Sequence, residues 1–471
     1  MKHTLSLGFT TLFLLFTPLN SGLSNPQSET RLISNTNNLN DNSIPRIIDW
    51  VTESGIKVFM YQVDSIPAID VAIDIDSGSR WDPSGMEGLS AMTQSMVFKG
   101  LSRLNEQKEM SEEDILQFIA KMALVKSNMN DKDKTSLRFR FLSDNELQEP
   151  ILSFIARILS FPKFDEGILE REKNIAISRL QDSLTKPQSI ALRNLWKSMY
   201  PDHPYGRSAT EESIGSITVD DLYAFHSKFW TPKRIKISIV GNIKLQGAKN
   251  LVEKISKPLS KRTVLDGLKI ASKTPQVLPP VGVGGKSTLY IPHPAEQSHI
   301  WLGMPILARH ETDDIFPMFV ANHILGGSGF GSRLTREVRE KRGLSYSVFS
   351  TFRLLQQKGP FFVGLQTGKK NTKLAVDVVT ETLIEFLENG PNQEELDTAK
   401  KGLVGGFALR LDSNSKILEN LAQIAFYNLP LDYLENWTTR INAVTLEDVN
   451  KVLKSKIDLG NTSLVVVGAS Q

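Results

Sequence analysis

The 471-residue sequence contains no cysteine and only seven histidines. Without cysteine, the chain cannot form a disulfide, a thiolate metal site, a cysteine nucleophile or a lipidated N-terminal cysteine. The histidines are His3, His203, His226, His293, His299, His310 and His323. No two of them are three to five residues apart, so a local zinc motif is absent. His293 and His299 flank a predicted turn and could meet across a hairpin, but two such histidines are far more often solvated than metal ligands.

The chain also lacks an excess of positive or negative charge, because its formal net charge is only +3. This near balance gives no indication of a nucleic-acid partner. Apolar residues make up 40% and charged residues 23% of the chain, as in a soluble globular protein. Neither a Gly-x-Ser-x-Gly elbow nor a phosphate-binding Gly-x-x-x-x-Gly-Lys-[Ser/Thr] loop is present. The length exceeds that of one ordinary core, so two or more domains are expected.

Long hydrophobic runs are missing except near the N-terminus. Lys2 and His3 precede an apolar run from Leu5 to Phe16, and small residues follow at 22–24. This pattern predicts a secretory signal peptide over residues 1–24, followed by an Asn- and Ser-rich flexible linker at 25–44. An uncleaved membrane anchor remains the alternative. We expect an exported soluble protein of the bacterial periplasm, without stable membrane insertion once the signal is removed.

The second half of the chain repeats a pattern of the first half at a fixed distance. Thr-Val-Asp-Asp-Leu starts at residue 218 and Thr-Leu-Glu-Asp-Val at residue 445, each ahead of a Val-Gly pair that ends at Gly241 or Gly468. Both separations are 227 residues (445 − 218 and 468 − 241). The same shift places Val71 to Ser77 on Ser298 to Met304. A duplication is therefore predicted.

The repeat, together with alternating strands and periodic helices, predicts an α+β fold of two homologous domains. Each domain is expected to be a mostly antiparallel sheet covered by helices, over residues 45–260 and 286–471. A Pro- and Gly-rich linker at 261–285 would join them. Two such halves can close around a cleft like a clamshell. On one predicted strand, Asp74 and Asp76 share a face and are interpreted as solvated rather than as a paired acid and base.

The most informative segment runs from Leu325 to Ser350. It begins with a loop that contains four glycines, Gly326, Gly327, Gly329 and Gly331. Such a loop lets the backbone approach a ligand, since no Cβ blocks it and positive φ is tolerated. A charged helix is predicted from Ser332 to Lys341, a stop at Gly343 and a strand from Tyr346. From the glycines alone, a plain connection beside a solvated basic helix is an equal alternative.

The whole segment resembles the second-domain signature of the pitrilysin-like, or inverted-zincin, zinc peptidases, which include mitochondrial processing peptidase and insulin-degrading enzyme. The resemblance implies that Arg339 and Tyr346, seven residues apart, contact the substrate carbonyl beside the scissile bond. The glycine loop would admit an extended peptide. The alternative is a purely structural pair, with the arginine on a helix surface and the tyrosine packed in the sheet.

The zinc site that the resemblance implies is degenerate. The family carries His-x-x-Glu-His on a helix, where positions i and i+4 share one face and can bind one metal. The matching stretch here is Ala91-Met92-Thr93-Gln94-Ser95. Alanine has no lone pair, serine is a poor ligand and an amide cannot act as a general base. The third ligand, seven residues after the second glutamate of Glu-Arg-Glu, falls on Arg179, whose permanent positive charge repels a dication.

These residues favour a non-catalytic, substrate-binding subunit of an exported two-chain zinc metallopeptidase that acts on peptides or unfolded segments. The zinc would belong to a homologous partner subunit, and this chain itself would hold no cofactor. The second hypothesis is a catalytically inactive scaffold or peptide-binding protein of the same fold. An autonomous peptidase with another metal or nucleophile is supported by no motif. The substrate, the cleavage preference, the partner's identity and the stoichiometry do not follow from the sequence.

Overall fold

The computed structural model describes residues 46–104, 106–260, 277–282 and 285–468. The predicted signal segment at 1–24 and the linker at 25–44 lie outside the described residues, as does most of the predicted joint at 261–285. In the described part of the chain, no helix combines the length and the apolar character that a membrane crossing requires.

The first sheet is built from strands between Ile48 and Gly241. Its strands are β1 (Ile48–Val51), β2 (Lys57–Gln62), β3 (Ala68–Ile75), β6 (Val125–Asn130), β7 (Thr135–Leu142) and β8 (Ile235–Gly241), beside a small ribbon of β4 (Gly100–Leu101) and β5 (Met110–Ser111). The order in the sheet is β1-β2-β8-β3-β7-β6, with β2 and β8 parallel and the other pairs antiparallel. Strand β6 therefore lies at one edge.

Helices cover one face of this sheet. They are α1 (Leu89–Met96), α2 (Glu112–Lys121), α3 (Asn145–Ser160), α4 (Glu166–Leu184), α6 (Glu211–Gly215), α7 (Val219–Phe229) and α8 (Leu245–Ser260). Helix α5 (Pro187–Met199) belongs to the same half but does not cover this sheet. Helix α2 begins at a capping box, in which Ser111 and Asp114 each bond the other's backbone N–H. Alternate strand residues such as Val58, Val71 and Ile237 point into the core beneath the helices.

The second sheet and its helices follow the same plan. The elements are β9 (Ser287–Pro292), β10 (Gln297–Leu307), α9 (Thr312–Asn322), β11 (Val348–Phe352), β12 (Gly359–Gly368), α10 (Thr372–Asn389), α11 (Gln393–Gly405), α12 (Asn414–Tyr427), α13 (Trp437–Ala443), α14 (Leu446–Lys456) and β13 (Ser463–Gly468). The strand order is β11-β12-β10-β13-β9, with only the β13–β9 pair parallel. The predicted α+β fold of two mostly antiparallel, helix-covered domains is confirmed.

The internal repeat is confirmed at the ends of both domains. Helices α7 and α14 begin at the same kind of capping box. The glycines that end the two domains, Gly241 and Gly468, have similar positive φ values of 141° and 137°. The predicted alignment of β3 with β10 is wrong by two residues. Asp70 pairs with Val240 and His299 with Val467, so Asp70 matches His299 at an offset of 229 (299 − 70). A two-residue error preserves the face to which each side chain points.

The two domains exchange one helix each. Helix α5 of the first domain packs on β10 and β13 of the second sheet, where Leu195 and Met199 contact a cluster around Trp301. Helix α12, which begins 227 residues after α5 (414 − 187), packs on β2, β3 and β8 of the first sheet. Each sheet is therefore covered on its second face by the other domain's helix, which fixes the domains against each other.

A buried polar cluster lies under helix α12. Asp74, interpreted above as solvated, is only 1% exposed and pairs with the buried ammonium of Lys134 at 3.0 Å. That interpretation is wrong because α12 covers this strand face; the Lys134 Nζ lies 5.0 Å from the ring of Phe426 on α12. Asp76 is half-buried and accepts hydrogen bonds from Arg80 and Arg234, each at 2.8 Å.

Asp133 connects the polar cluster to the second domain. Its carboxylate pairs with the buried guanidinium of Arg80 and accepts a hydrogen bond from the Tyr205 hydroxyl at 2.6 Å. It also accepts from the Gln356 N–H at 2.7 Å and from the Tyr427 hydroxyl at 2.9 Å, both in the second domain. One buried carboxylate thus joins the two domains.

Candidate functional site

Helix α1 carries the residues at the positions of the zinc motif. Ala91 is exposed and Ser95 is half-buried, whereas Gln94 is only 6% exposed. The Nε2 atom of Gln94 is buried and has no hydrogen-bond partner among the described residues. A glutamate here would carry an uncompensated buried charge unless a metal lay beside it, so the neutral amide suits a site without a metal.

The structure brings Glu172 of α4 to Ser95, whose hydroxyl lies 3.4 Å from Glu172 Oε2. Glu172 is also paired with Lys99 at 3.0 Å and Arg171 at 2.9 Å, and both cations reach Glu112 at 2.7 Å. Burial alone would raise the pKa of Glu172, but hydrogen bonds from Arg171 and Lys99 hold that pKa below its usual value. Two basic side chains therefore neutralise the carboxylate nearest to the former zinc position.

Arg179 lies two helical turns beyond Glu172 on α4, at an exposed position. A separation of seven residues puts both side chains on one face of the helix. Among the described residues, no three His, Cys, Asp or Glu side chains are grouped so that they could hold a metal ion. The side chains of Ala91, Gln94, Ser95 and Arg179 therefore do not fit a catalytic zinc.

The four glycines of the loop at 326–331 lie in two different environments. Gly326 is buried, and a Cβ there would lie 2.5 Å from the Ser350 backbone nitrogen; at Gly327 a Cβ would meet the Asn322 amide at 2.6 Å. These two glycines allow close packing, so the space beside them is already filled by protein. Gly329 and Gly331 are exposed, have φ of 68° and 89°, and have open space beside them. Only this second pair leaves backbone accessible to a ligand.

Arg339 lies on a π-helical turn over Thr335–Glu340, within the helical run predicted from Ser332 to Lys341. Its guanidinium carbon lies 4.7 Å from the ring centroid of Phe330, which stands between the two exposed glycines and is itself 62% exposed. The contact between the cation and the aromatic ring holds Arg339 at the end of the glycine loop. Gly343, with φ of 60°, then ends the turn as predicted, and its N–H bonds the Arg339 carbonyl.

Tyr346 projects from a short loop that is anchored on both sides. The Thr367 hydroxyl on β12 donates to the Leu344 carbonyl at 2.6 Å, and the Ser345 hydroxyl donates to the Ser347 carbonyl at 2.7 Å. The Tyr346 side chain is nevertheless 89% exposed. Strand β11 starts only at Val348, so the predicted start of a strand at Tyr346 is two residues early. The ring is therefore not packed in the sheet.

A pocket of about 130 Å³ lies beside Tyr346, on the sheet face that helix α5 covers. Sequence reasoning missed it because its residues come from distant segments, and no local pattern joins them. Its lining includes His299, Trp301, Phe349, Leu365 and Gln188.

His299 is partly buried in this pocket rather than solvated. Burial and the neighbouring His293 lower the pKa of its imidazole. His293 bonds the Thr185 carbonyl at 3.2 Å. The expected hairpin contact is wrong, because strand β13 lies between β9 and β10 in the sheet. Together they make only two of the ligands that a metal site needs.

Comparison with known proteins gives a consistent assignment. The sequence model described as insulinase, peptidase family M16, matches residues 58–212, and the model described as the M16 inactive domain matches residues 216–403. An uncharacterized zinc protease, YmxG, of Bacillus subtilis is 27% identical over 85% of this chain and 93% of its own length. The non-peptidase homolog YmxG of Helicobacter pylori is 25% identical over 77% of this chain and 82% of its own length.

Solved structures agree with these sequence relatives. The M16 inactive domain from Pseudomonas fluorescens superposes with a TM-score of 0.81 and 29% identity, over 90% of this chain and 98% of that one. The periplasmic protease PqqL from Escherichia coli superposes with a TM-score of 0.74 and 15% identity, over 96% of this chain but only 49% of PqqL. A two-domain fold and matches to both family models lead to one conclusion: the chain belongs to peptidase family M16, and its sequence contains no His-x-x-Glu-His motif.

Proposed function

We propose that this chain is the substrate-binding, non-catalytic subunit of an exported two-chain zinc metallopeptidase that acts on peptides or unfolded segments. The observation that carries the proposal is the contrast between two places in one molecule. All four zinc-site positions have lost their chemistry, whereas Arg339 and Tyr346 are present at the expected spacing, with Tyr346 almost fully exposed on an anchored loop. A tyrosine with only a packing role would be buried.

Arg339 and Tyr346 would act as hydrogen-bond donors to a peptide carbonyl. A guanidinium and a phenol stabilise negative charge that develops on a carbonyl oxygen, and fixed donors do so better than mobile ones. Phe330 contacts the Arg339 guanidinium, and hydrogen bonds anchor the 344–347 loop from which Tyr346 projects. The zinc that activates water would be supplied by the homologous partner subunit.

The exchange of helices supports the need for a second chain. Because α5 and α12 lock the two domains of this chain together, the opposite wall of a closing cleft has to come from another molecule. PqqL is consistent with this arrangement, since this chain covers only about half of that periplasmic protease. The same comparison and the predicted signal peptide support an exported location.

Strand β6 offers a surface on which an extended peptide could lie. It is an edge strand, and Val125 and Met129 on it are 63% and 43% exposed. An unpaired strand edge can take up an extended segment through backbone hydrogen bonds. This feature also suits the second candidate function, an inactive scaffold that holds peptides without cleavage.

The test is to purify the mature chain from its host with whatever binds it, and to measure zinc content and cleavage of a quenched fluorescent peptide. We expect the isolated chain to be inert and the complex to contain zinc and cleave. Arg339→Ala and Tyr346→Phe should each lower turnover by the complex roughly 10²-fold, as for loss of one oxyanion donor. Size-exclusion chromatography should show unchanged assembly, because both side chains lie at the surface.

Arg342→Ala is the matched control, since Arg342 lies three residues away and pairs only with Glu337 among the described residues. It should leave turnover unchanged. Equal rates for Tyr346→Phe and the parent would remove the proposed role of the pair. If no related chain co-purifies and nothing is cleaved, the scaffold function replaces the peptidase function.

A further inference from the structure

The pocket beside Tyr346 lies at a position that corresponds, in the first domain, to a place filled by two side chains. Asp70 and Arg140 are register partners on β3 and β7, and His299 and Gln366 are the matching partners on β10 and β12. In the first sheet, the Arg140 guanidinium spans the pair and donates to both carboxylate oxygens of Asp70 at 2.7 and 3.0 Å. In the second sheet, the same two positions line an open cavity. The duplication therefore left a cavity in the half that carries Arg339 and Tyr346.

The lining of this pocket combines an apolar base with polar edges. Trp301, Phe349 and Leu365 provide aromatic and aliphatic surface, while Gln188 and Gln366 provide amides. Among the residues that the structure describes, no acidic side chain lines the pocket, and His299 is the only basic one there. A charged side chain would therefore lose its hydration there without gaining an ion pair.

His299 supplies the specific polar contact. Its Nδ1 atom is buried and has no hydrogen-bond partner among the described residues. An imidazole nitrogen in this state can accept a hydrogen bond from a hydroxyl that enters the pocket. Its loss of water would then be compensated by the ligand rather than by the protein.

The size of the pocket suits one ring. Its 130 Å³ is close to the volume, roughly 150 Å³, of an apolar cavity that accepts benzene. An aromatic ring also finds favourable edge or face contacts with Trp301 and Phe349, which already meet each other edge to face at 5.6 Å.

We propose that this pocket receives an aromatic side chain of the bound peptide, and that His299 makes it prefer tyrosine to phenylalanine. The inference rests on the proposed peptide-binding function and adds the class of residue that the subunit selects. Tyr346 stands at the rim, so the selected side chain would lie next to the carbonyl that Arg339 and Tyr346 bind.

The experiment uses the full mature chain and pools of acetylated octapeptides. In each pool one position is fixed as Tyr, Phe, Leu, Lys or Ala and the others are randomised, and affinity is read by competition with a fluorescein-labelled random pool. At one position, we expect the Tyr pool to bind about tenfold more tightly than the Ala pool, the increment expected for partial burial of a ring. Phe should lie between them and Lys at or below Ala.

Variants separate the pocket from the rest of the site. Ser347→Trp at the rim should fill the pocket and abolish the aromatic preference, whereas Ser455→Trp on exposed helix α14 is the matched control. His299→Leu should reduce binding of the Tyr pool to that of the Phe pool, with His310→Leu at an exposed position as its control. Arg339→Ala should weaken all pools by one common factor and keep their order.

The outcomes distinguish the two proposals. If peptides bind without a preference for aromatic residues, or if Ser347→Trp keeps the preference, the pocket assignment is wrong while peptide binding stands. If no pool binds the parent chain, alone or with its partner, the proposed function fails and the pocket assignment fails with it. Equal loss of Tyr and Phe binding in His299→Leu would retain the aromatic pocket but overturn the hydrogen bond to His299.

Discussion

The two halves of this molecule share one plan but have filled corresponding places with different chemistry. Under helix α12, the first sheet buries the Asp74–Lys134 pair, and Asp70 is held by Arg140. Under helix α5, the second sheet presents Trp301 and Phe362 to the helix and leaves a pocket around His299. Near the former zinc position, Lys99 and Arg171 neutralise Glu172. Charge pairs therefore fill these places in the first half, whereas the second half has an open pocket and an exposed tyrosine, Tyr346.

The largest effect on this comparison is expected from variants that introduce zinc ligands into the first half. A triple variant, Ala91→His with Gln94→Glu and Ser95→His, restores the helix motif but lacks the third carboxylate ligand. We expect no bound zinc after dialysis. Adding Arg179→Glu should raise the metal content to about one zinc ion per chain, because three protein ligands are the usual number for a catalytic site.

The same variants show which residue of α4 can serve as the third ligand. Glu172 is the carboxylate that the structure places next to Ser95, yet its pairs with Lys99 and Arg171 compete with a metal. Stoichiometric zinc in the triple variant would show that Glu172 can act as the ligand and that the assignment to Arg179 is wrong. Glu172→Gln in the triple background would then remove the metal.

The next largest effect concerns the buried carboxylate that joins the domains. Asp133→Ala would leave the buried guanidinium of Arg80 without one of its carboxylate partners, and the hydroxyls of Tyr205 and Tyr427 without an acceptor. Breaking a buried ion pair from one side costs about 3–5 kcal/mol. We expect the free energy of unfolding in urea to fall by about this amount.

Asp412→Ala, which removes an exposed pair with Lys416, is the control and should change the free energy of unfolding by less than about 1 kcal/mol. A loss for Asp133→Ala as small as that of the control would mean that the packing of the exchanged helices α5 and α12, rather than this carboxylate, joins the domains.

Much of this architecture was predictable because local chemistry and the repeat agree. The capping residues Ser111, Thr218 and Thr445 mark helix starts by hydrogen bonds that each segment makes with itself. The offset of 227 residues then places the second domain. The β3–β10 alignment failed by two residues because loop lengths between strands vary without changing which face is buried.

What the sequence could not predict depends on long-range packing. Asp74 lies in an ordinary alternating strand pattern. Its face of the strand is buried only because helix α12, which begins 340 residues later (414 − 74), packs on it. The pocket at His299 likewise needs α5 from the other domain. In contrast, the degenerate zinc positions and the Arg339–Tyr346 spacing are local features, so residue identities alone are enough to predict them.

The smallest expected effect is an acid sensitivity confined to the first half. His203 is buried there, and burial with the positive charges of Arg207 and Arg80 lowers the pKa of its imidazole to about 4, against the influence of Gln357 and Asp133. The unfolded chain, with an ordinary pKa near 6.5, therefore binds the proton first as the pH falls. The stability that His203 contributes is complete above about pH 6.5 and is lost between there and about pH 4.

His203→Gln should remove this part of the pH dependence. The nearby Asp82 has the opposite slope, because burial raises the pKa of its carboxyl to about 7 and the folded state then gains stability as the pH falls toward 4. The informative quantity is therefore the difference in unfolding free energy between parent and variant at pH 7 and pH 4.5. We expect the parent to lose about 2 kcal/mol more than the variant. The repeat places Pro430 at the matching position of the second half, which cannot titrate. Equal pH dependence of the two proteins would show that His203 is hydrated enough in the folded state to accept its proton there.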